Sequence, residues 1–85
     1  MECKARVEAL IAAGKLEEAT SALVDFDRAT ADYLLGRIEW KRGNRAAAIA
    51  AYGRAAAVDP DGPGATALAQ AREIMNFFNK DLYNP

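Results

Sequence analysis

The chain has 85 residues, the size of one small domain, and 52% of them are hydrophobic and 27% charged. A formal net charge of −1 argues against nucleic-acid binding, because proteins that bind phosphate backbones carry a basic excess. No apolar run approaches the roughly 20 residues that cross a bilayer, and no signal peptide is recognisable, so we expect a cytoplasmic protein without membrane contact.

The first two segments with helical spacing of apolar residues lie on either side of Gly14. The first spans roughly 2–13, and the second spans roughly 15–27. Steps of three and four residues place one apolar stripe on each helix, as a buried face requires. The stripes are Cys3, Val7, Leu10 and Ile11 in the first helix, and Leu16, Ala19, Leu23 and Phe26 in the second.

Three more helical segments follow, separated by glycine or proline. The third spans roughly 30–42 with Thr30 as its N-cap, and the fourth spans roughly 45–58 with Asn44 as its N-cap. The fifth spans roughly 65–79. Short glycine-centred turns return consecutive helices as antiparallel hairpins, so we expect an all-α fold of two hairpins and a closing helix. The stripe of that last helix is Leu68, Ala71, Met75 and Phe78, widened by Ile74 and Phe77.

The third and fourth segments form a 34-residue unit, from 29 to 62, with small residues where two helices must approach closely. Gly36 and Ala48 are these small residues, Tyr52 is the large residue beside them, and Pro60 stops the second helix. The pattern Leu35, Gly36, Trp40, Gly43, Asn44, Ala48, Tyr52, Ala55 and Pro60 resembles the tetratricopeptide repeat (TPR). The resemblance implies a TPR-like α-α superhelix; Asp32 departs from it, standing where the first aromatic is usual.

Residues 1–28 resemble a degenerate first copy, because Gly14 aligns with Gly43 at an interval of 29 positions. The closing helix and tail resemble the ending of short bacterial TPR proteins of Bacteroides type, which implies two repeats and one capping helix. We therefore expect a single TPR-like domain over 1–85. Its parts are the degenerate repeat (1–28), the second repeat (29–62), the capping helix (63–79) and a tail (80–85).

The resemblance also implies a binding surface, because the first helix of each TPR hairpin lines a groove for a partner segment. The corresponding groove positions are Lys4, Glu8 and Ile11 in the first repeat, and Tyr33, Arg37, Trp40 and Lys41 in the second. Aromatic and Arg side chains often dominate interfaces, so we expect a protein or peptide partner. The alternatives are that Trp40 is buried between hairpins and that Arg37 and Lys41 are solvated.

Two features bear on the kind of partner. One TPR subclass binds a terminal carboxylate with Lys and Asn; Lys4 matches it, but Glu8 and Leu34 stand where Asn is expected, which disfavours that ligand. Net charge is +4 over residues 28–54, against −3 over 1–27 and −2 over 55–85. An acidic ligand, contact between copies and an ordinary mixed surface are each compatible with this distribution.

A second hypothesis is a structural, self-assembling protein. If Ile74, Phe77, Leu82 or Tyr83 are exposed, they provide a homodimer contact through the C-terminal helix. The alternative is that the tail folds back onto its own domain.

Catalysis has little support in the residue types. Histidine is absent, Cys3 is the single cysteine, and Glu17 and Glu18 are neighbours that point to different parts of a helix surface. No phosphate-binding loop or metal-ligand spacing occurs. We expect no enzyme activity, no cofactor and no metal.

Overall fold

The computed structural model describes the backbone of residues 3–83 and the side chains of residues 3–77. Five α-helices make up most of this part of the chain, which contains no strand, so the expected all-α class is confirmed. The helices are α1 (Lys4–Ala12), α2 (Leu16–Ala22), α3 (Arg28–Arg42), α4 (Arg45–Val58) and α5 (Pro63–Tyr83), with a 3₁₀ turn at Leu23–Asp25.

The turns after α1 and α3 each use a glycine in the left-handed conformation. Gly14 has φ of +80° and Gly43 has φ of +87°, a region that glycine enters without steric cost. In each turn the residue after the glycine donates its N–H to a carbonyl five positions earlier, at 2.9 Å. The two predicted turns are therefore confirmed, and they close the two helices in the same way.

The start of α3 differs from the prediction, because Asp27 rather than Thr30 is the N-cap. The Asp27 carboxylate accepts a hydrogen bond from the Thr30 N–H at 3.3 Å. Hydrogen bonds from the Thr30 side chain and backbone lower the pKa of Asp27 below its usual value. An aspartate in this position satisfies an N–H of the first helical turn, so α3 begins two residues earlier than expected.

The predicted second helix is too long. α2 ends at Ala22, and the 3₁₀ turn follows it. Phe26 has an extended backbone, with φ of −110° and ψ of 157°, because the chain must leave the helical path before Asp27 caps α3. The Phe26 side chain nevertheless packs against the buried core, as its place in the apolar stripe predicted.

Two predicted stripe and cap residues have other roles. Cys3 precedes α1 and is exposed, so it does not belong to the buried stripe. Asn44 lies at the N-cap position of α4, but its side chain makes no capping bond there. Instead, its Nδ2 donates to Glu39 Oε2 at 3.2 Å, across the turn between α3 and α4.

The last helix is longer than predicted at both ends. It begins at Pro63, a favoured first position because proline has no N–H to satisfy. It continues to Tyr83, so the expected tail is helical over 80–83, while 84–85 lie outside the described residues. With a helix of 21 residues, the molecule is elongated, measuring 52 × 27 × 15 Å.

Two apolar clusters meet on α3. Within the described part of the chain, α3 is the one helix that contacts all four others. The first cluster joins α1 and α2 to α3, and it consists of Val7, Ile11, Ala19, Ala22, Leu34 and Ile38. The second joins α3 to α4 and α5, and it consists of Ala48, Tyr52 and Ala71, with Tyr33, Trp40, Ile49, Ala67 and Leu68 packed against it.

Small residues allow α4 to approach both of its neighbours. A Cβ added at Gly36 of α3 would overlap the Tyr52 ring and lie 3.0 Å from its Cζ. A Cβ added at Gly64 of α5 would lie 2.5 Å from the Cβ of Ala55. The predicted close packing of Tyr52 beside Gly36 is therefore confirmed, and Ala55 and the fully buried Ala48 also lie at tight positions.

No helix over residues 3–83 combines the length and apolar character that crossing a membrane requires.

Candidate partner-binding groove

Two cavities lie next to Trp40, one toward α1 and the other toward α5. The α1-side cavity has a volume of about 300 Å³, and the α5-side cavity about 120 Å³. The first is lined by Ile11, Ala12, Arg37, Trp40, Lys41 and Tyr52. The second is lined by Trp40, Tyr52, Ala67, Gln70, Ala71 and Ile74. Trp40 and Tyr52 belong to both, so the two cavities form one candidate groove across α3.

Tyr33 lies in an aromatic and cationic cluster beside this groove. The Nζ atom of Lys4 lies 5.0 Å from the centroid of the Tyr33 ring, within the range of a cation–π contact. The Tyr33 and Tyr52 centroids are 6.2 Å apart, with an interplanar angle of 35°. Lys4 is exposed and Tyr33 is half-buried. Two predicted groove residues, Lys4 and Tyr33, are thus brought together.

Glu8 and Arg37 form an ion pair between α1 and α3. Arg37 Nη1 lies 3.3 Å from Glu8 Oε2, and the two side chains are 34% and 37% exposed. An ion pair with this exposure contributes roughly 0–1 kcal/mol, because water screens it. Arg37 is therefore neither a fully solvated side chain nor a buried one, and the pair can open at small energetic cost.

Trp40 is neither fully buried between the hairpins nor fully exposed. It is half-buried and packs against the second cluster, and the Arg45 guanidinium carbon lies 4.8 Å from its ring centroid. It also lines both cavities. Lys41, one residue further along α3, is exposed at the edge of the α1-side cavity.

Sequence reasoning treated Tyr52 only as a packing residue, but it also contributes to the groove. It belongs to α4, and its ring reaches the groove because Gly36 has no side chain in the way. Burial raises the pKa of Tyr52, the neighbouring Tyr33 raises it further, and Arg37 partly offsets the rise. The Tyr52 hydroxyl is therefore neutral at neutral pH and can donate a hydrogen bond.

Contacts between α1 and α3 join residues separated by 29 positions, the same interval as between Gly14 and Gly43. A signal for these contacts was therefore present in the sequence, since aligning the two glycines already pairs the residues. Two such pairs are in contact, Lys4 with Tyr33 and Glu8 with Arg37. A third pair with this interval, Ile11 and Trp40, lines the α1-side cavity.

Asp32 has a role that the sequence did not reveal. It stands where the repeat pattern usually has an aromatic residue, and it instead accepts a hydrogen bond from Arg54 Nε of α4 at 3.2 Å. Arg28 Nε lies 3.9 Å from Oδ2, the other carboxylate oxygen of Asp32. A polar bridge therefore joins α3 to α4 at this position.

Comparisons with protein-family models, with curated proteins and with solved structures find no match to this chain. The groove has an aromatic and apolar floor and cationic side chains at its edge, an arrangement that suits side chains of another polypeptide.

Proposed function

We propose that the protein is a TPR-like interaction module that binds a protein or peptide segment across α1, α3 and α5, without catalysis. The observation that carries this proposal is that the half-buried Trp40 lines two neighbouring cavities. Tryptophan, tyrosine and arginine are the residues that most often dominate binding energy, and Trp40, Tyr52 and Arg37 all line this site.

The helix contacts support a repeated architecture. α1 contacts α3 and α3 contacts α5, so alternate helices are neighbours, as in a stack of hairpins. An interval of 34 positions relates Trp40 to Ile74 and Arg37 to Ala71, and three of these four residues line the α5-side cavity. This interval supports the interpretation of α5 as the first helix of an incomplete third unit.

The size of the cavities favours a polypeptide over a small molecule. Pockets for small molecules typically have volumes of about 300–1,000 Å³. The α1-side cavity is at the lower end of this range, and the α5-side cavity is well below it. Each is better suited to one side chain of a longer partner than to an enclosed ligand.

Peptide selection with the purified domain tests the proposal, because Trp40 is the only tryptophan and its fluorescence reports occupancy of the groove. We expect a random-peptide display library to yield binders that change this fluorescence. Combined Arg37→Ala and Lys41→Ala substitutions should weaken them about tenfold or more, since both cations line the site.

The matched control for this test is Lys15→Ala, which removes an exposed cation from the turn between α1 and α2. It should leave the affinity unchanged. Selected peptides that bind the double variant as tightly as the unaltered domain would contradict the proposal, and so would a selection that yields no groove-dependent binder.

Exposed apolar side chains on α5 favour a second candidate function, self-assembly as a homodimer. Phe77 is 75% exposed and Ile74 is 40% exposed, and a spacing of three residues places them on one helix face. The side chains of Leu82 and Tyr83, also predicted for this contact, lie outside the described residues. In this candidate function, two copies pack α5 against α5.

Sedimentation equilibrium over a range of protein concentrations tests the dimer. We expect a dimer whose dissociation constant rises strongly in Phe77→Asp, because a carboxylate would be buried in the contact. Val24→Asp is the matched control, since Val24 is also an exposed apolar residue but lies on the 3₁₀ turn. A strict monomer up to about 1 mM, a concentration at which even weak specific association is visible, rules the dimer out.

A further inference from the structure

We infer that the α1-side cavity recognises an acidic–apolar motif, in which an apolar side chain enters beside Trp40 and a neighbouring carboxylate contacts Arg37 and Lys41. This inference rests on the proposed function and specifies the chemistry of the partner. The partner is a polypeptide segment with Asp or Glu next to a large apolar residue.

The charges of the residues that line the α1-side cavity favour an acidic ligand. Arg37 and Lys41 are the two charged residues that the structure places around the α1-side cavity, and both are cations. The other lining residues are Ile11, Ala12, Trp40 and Tyr52, which give an apolar and aromatic floor with one hydroxyl. A cationic edge above an apolar floor is complementary to an acidic group beside an apolar one.

Arg37 has donors available for a second carboxylate. A guanidinium has five N–H donors, and Glu8 approaches it at Nη1, with both side chains about one-third exposed. Glu8 therefore holds Arg37 at the edge of the cavity and offsets one positive charge there, while Lys41 keeps the net charge of the three side chains positive. An incoming carboxylate can bind other N–H groups of Arg37 in the bidentate manner that arginine favours.

The two neighbouring cavities differ in charge, which sets the order of the motif. None of the residues that the structure places around the α5-side cavity is charged. An apolar side chain fits there, between Trp40 and the α5 residues Ala67, Ala71 and Ile74. The expected partner segment therefore places its acidic residue over α1 and α3 and a further apolar residue toward α5.

A cavity elsewhere on the molecule has the opposite charge. The cavity between α1 and α2, of about 410 Å³, is lined by Glu17, Glu18 and Asp25 together with Arg6. Carboxylates predominate there, so it repels an acidic segment. The contrast directs an acidic partner to the α1-side cavity, where charge complementarity is favourable.

Motif analysis of the selected peptides, followed by a double-mutant cycle that neutralises the charges on each side, tests this inference. We expect the library to yield peptides with Asp or Glu adjacent to an apolar residue. Replacing the acidic residue of the strongest binder, Asp by Asn or Glu by Gln, should weaken binding about fivefold to tenfold, measured by Trp40 fluorescence. The loss should largely disappear in the Arg37→Gln/Lys41→Gln variant, because the interacting cations are then absent.

Lys41→Glu provides a second variant that does not depend on core packing, since this side chain is exposed. A library selection that uses this variant as the target should yield peptides with a basic residue where the original domain selects an acidic one. Groove-dependent peptides without acidic enrichment would overturn the acidic–apolar motif while leaving the proposed binding function intact. A library without any groove-dependent peptide would overturn both.

Discussion

Leu34→Ala is expected to lower the free energy of unfolding by about 2–5 kcal/mol, the usual cost of deleting a large side chain from a packed core. Leu34 is 0% exposed and belongs to the cluster that joins α1 and α2 to α3. A domain of this length has a total stability of roughly 4–13 kcal/mol. The substitution therefore removes a large share of it.

Urea denaturation followed by far-UV circular dichroism measures this loss, and Val24→Ala is the control. Val24 is 86% exposed, so its truncation should change stability by no more than about 0.5 kcal/mol. Trp40 lies against the second cluster, so its fluorescence reports that half of the molecule separately. Equal stabilities of the Leu34 and Val24 variants would show that the first cluster does not hold the helices together.

Gly36→Ala is expected to destabilise the protein by about 1–3 kcal/mol, although alanine has a higher helix propensity than glycine. The added methyl group would overlap the Tyr52 ring, and Tyr52 is buried between α3 and its neighbours. The ring must move, or α3 and α4 must separate. For a domain of this size each kcal/mol corresponds to roughly 4–8 °C in Tm, so thermal unfolding resolves the effect.

Gly53→Ala gives a control with the opposite sign. Gly53 lies inside α4, and an added Cβ would meet no atom within 4 Å. Only the propensity gain remains, so this variant should be more stable by about 0.5–1 kcal/mol. If Gly36→Ala stabilises the protein to the same extent, then the close contact between α3 and α4 does not constrain the fold. A second substitution, Tyr52→Leu, should reduce the cost of Gly36→Ala if the clash is the cause.

The sequence predicted the helices and their glycine turns because these depend on local chemistry. Gly14 and Gly43 have positive φ, and the predicted stripe residues Val7, Ile11 and Ala19 are buried as expected. The start of α3 could not be chosen in the same way, since Asp27 and Thr30 are both good caps. Which of them is used depends on where α2 must end to let the chain turn.

The length of α5 was also underestimated, because the sequence after residue 79 contains no glycine or proline before the final Pro85. The mixed polar and apolar residues there predict a tail, because they lack a clear apolar stripe. In the absence of a helix-breaking residue, the helix continues.

The sequence predicts which residues belong to the candidate site, but it does not predict which residues they contact. The resemblance indicated Arg37 and Trp40, whereas the partners of these residues depend on how α1 and α3 align with each other. The Glu8–Arg37 ion pair follows from the interval between the two glycine turns. Tyr52 was missed for a different reason, since its reach across α3 depends on the absence of a side chain at Gly36.

Trp40 and Tyr52 line both cavities, and they are the two residues that the linings of the cavities have in common. A partner segment that fills both cavities would therefore contact the same pair of aromatic rings twice. Because both contacts share these rings, a substitution of Trp40 would weaken them together, whereas a substitution of Ile11 or Ile74 would weaken only one of them.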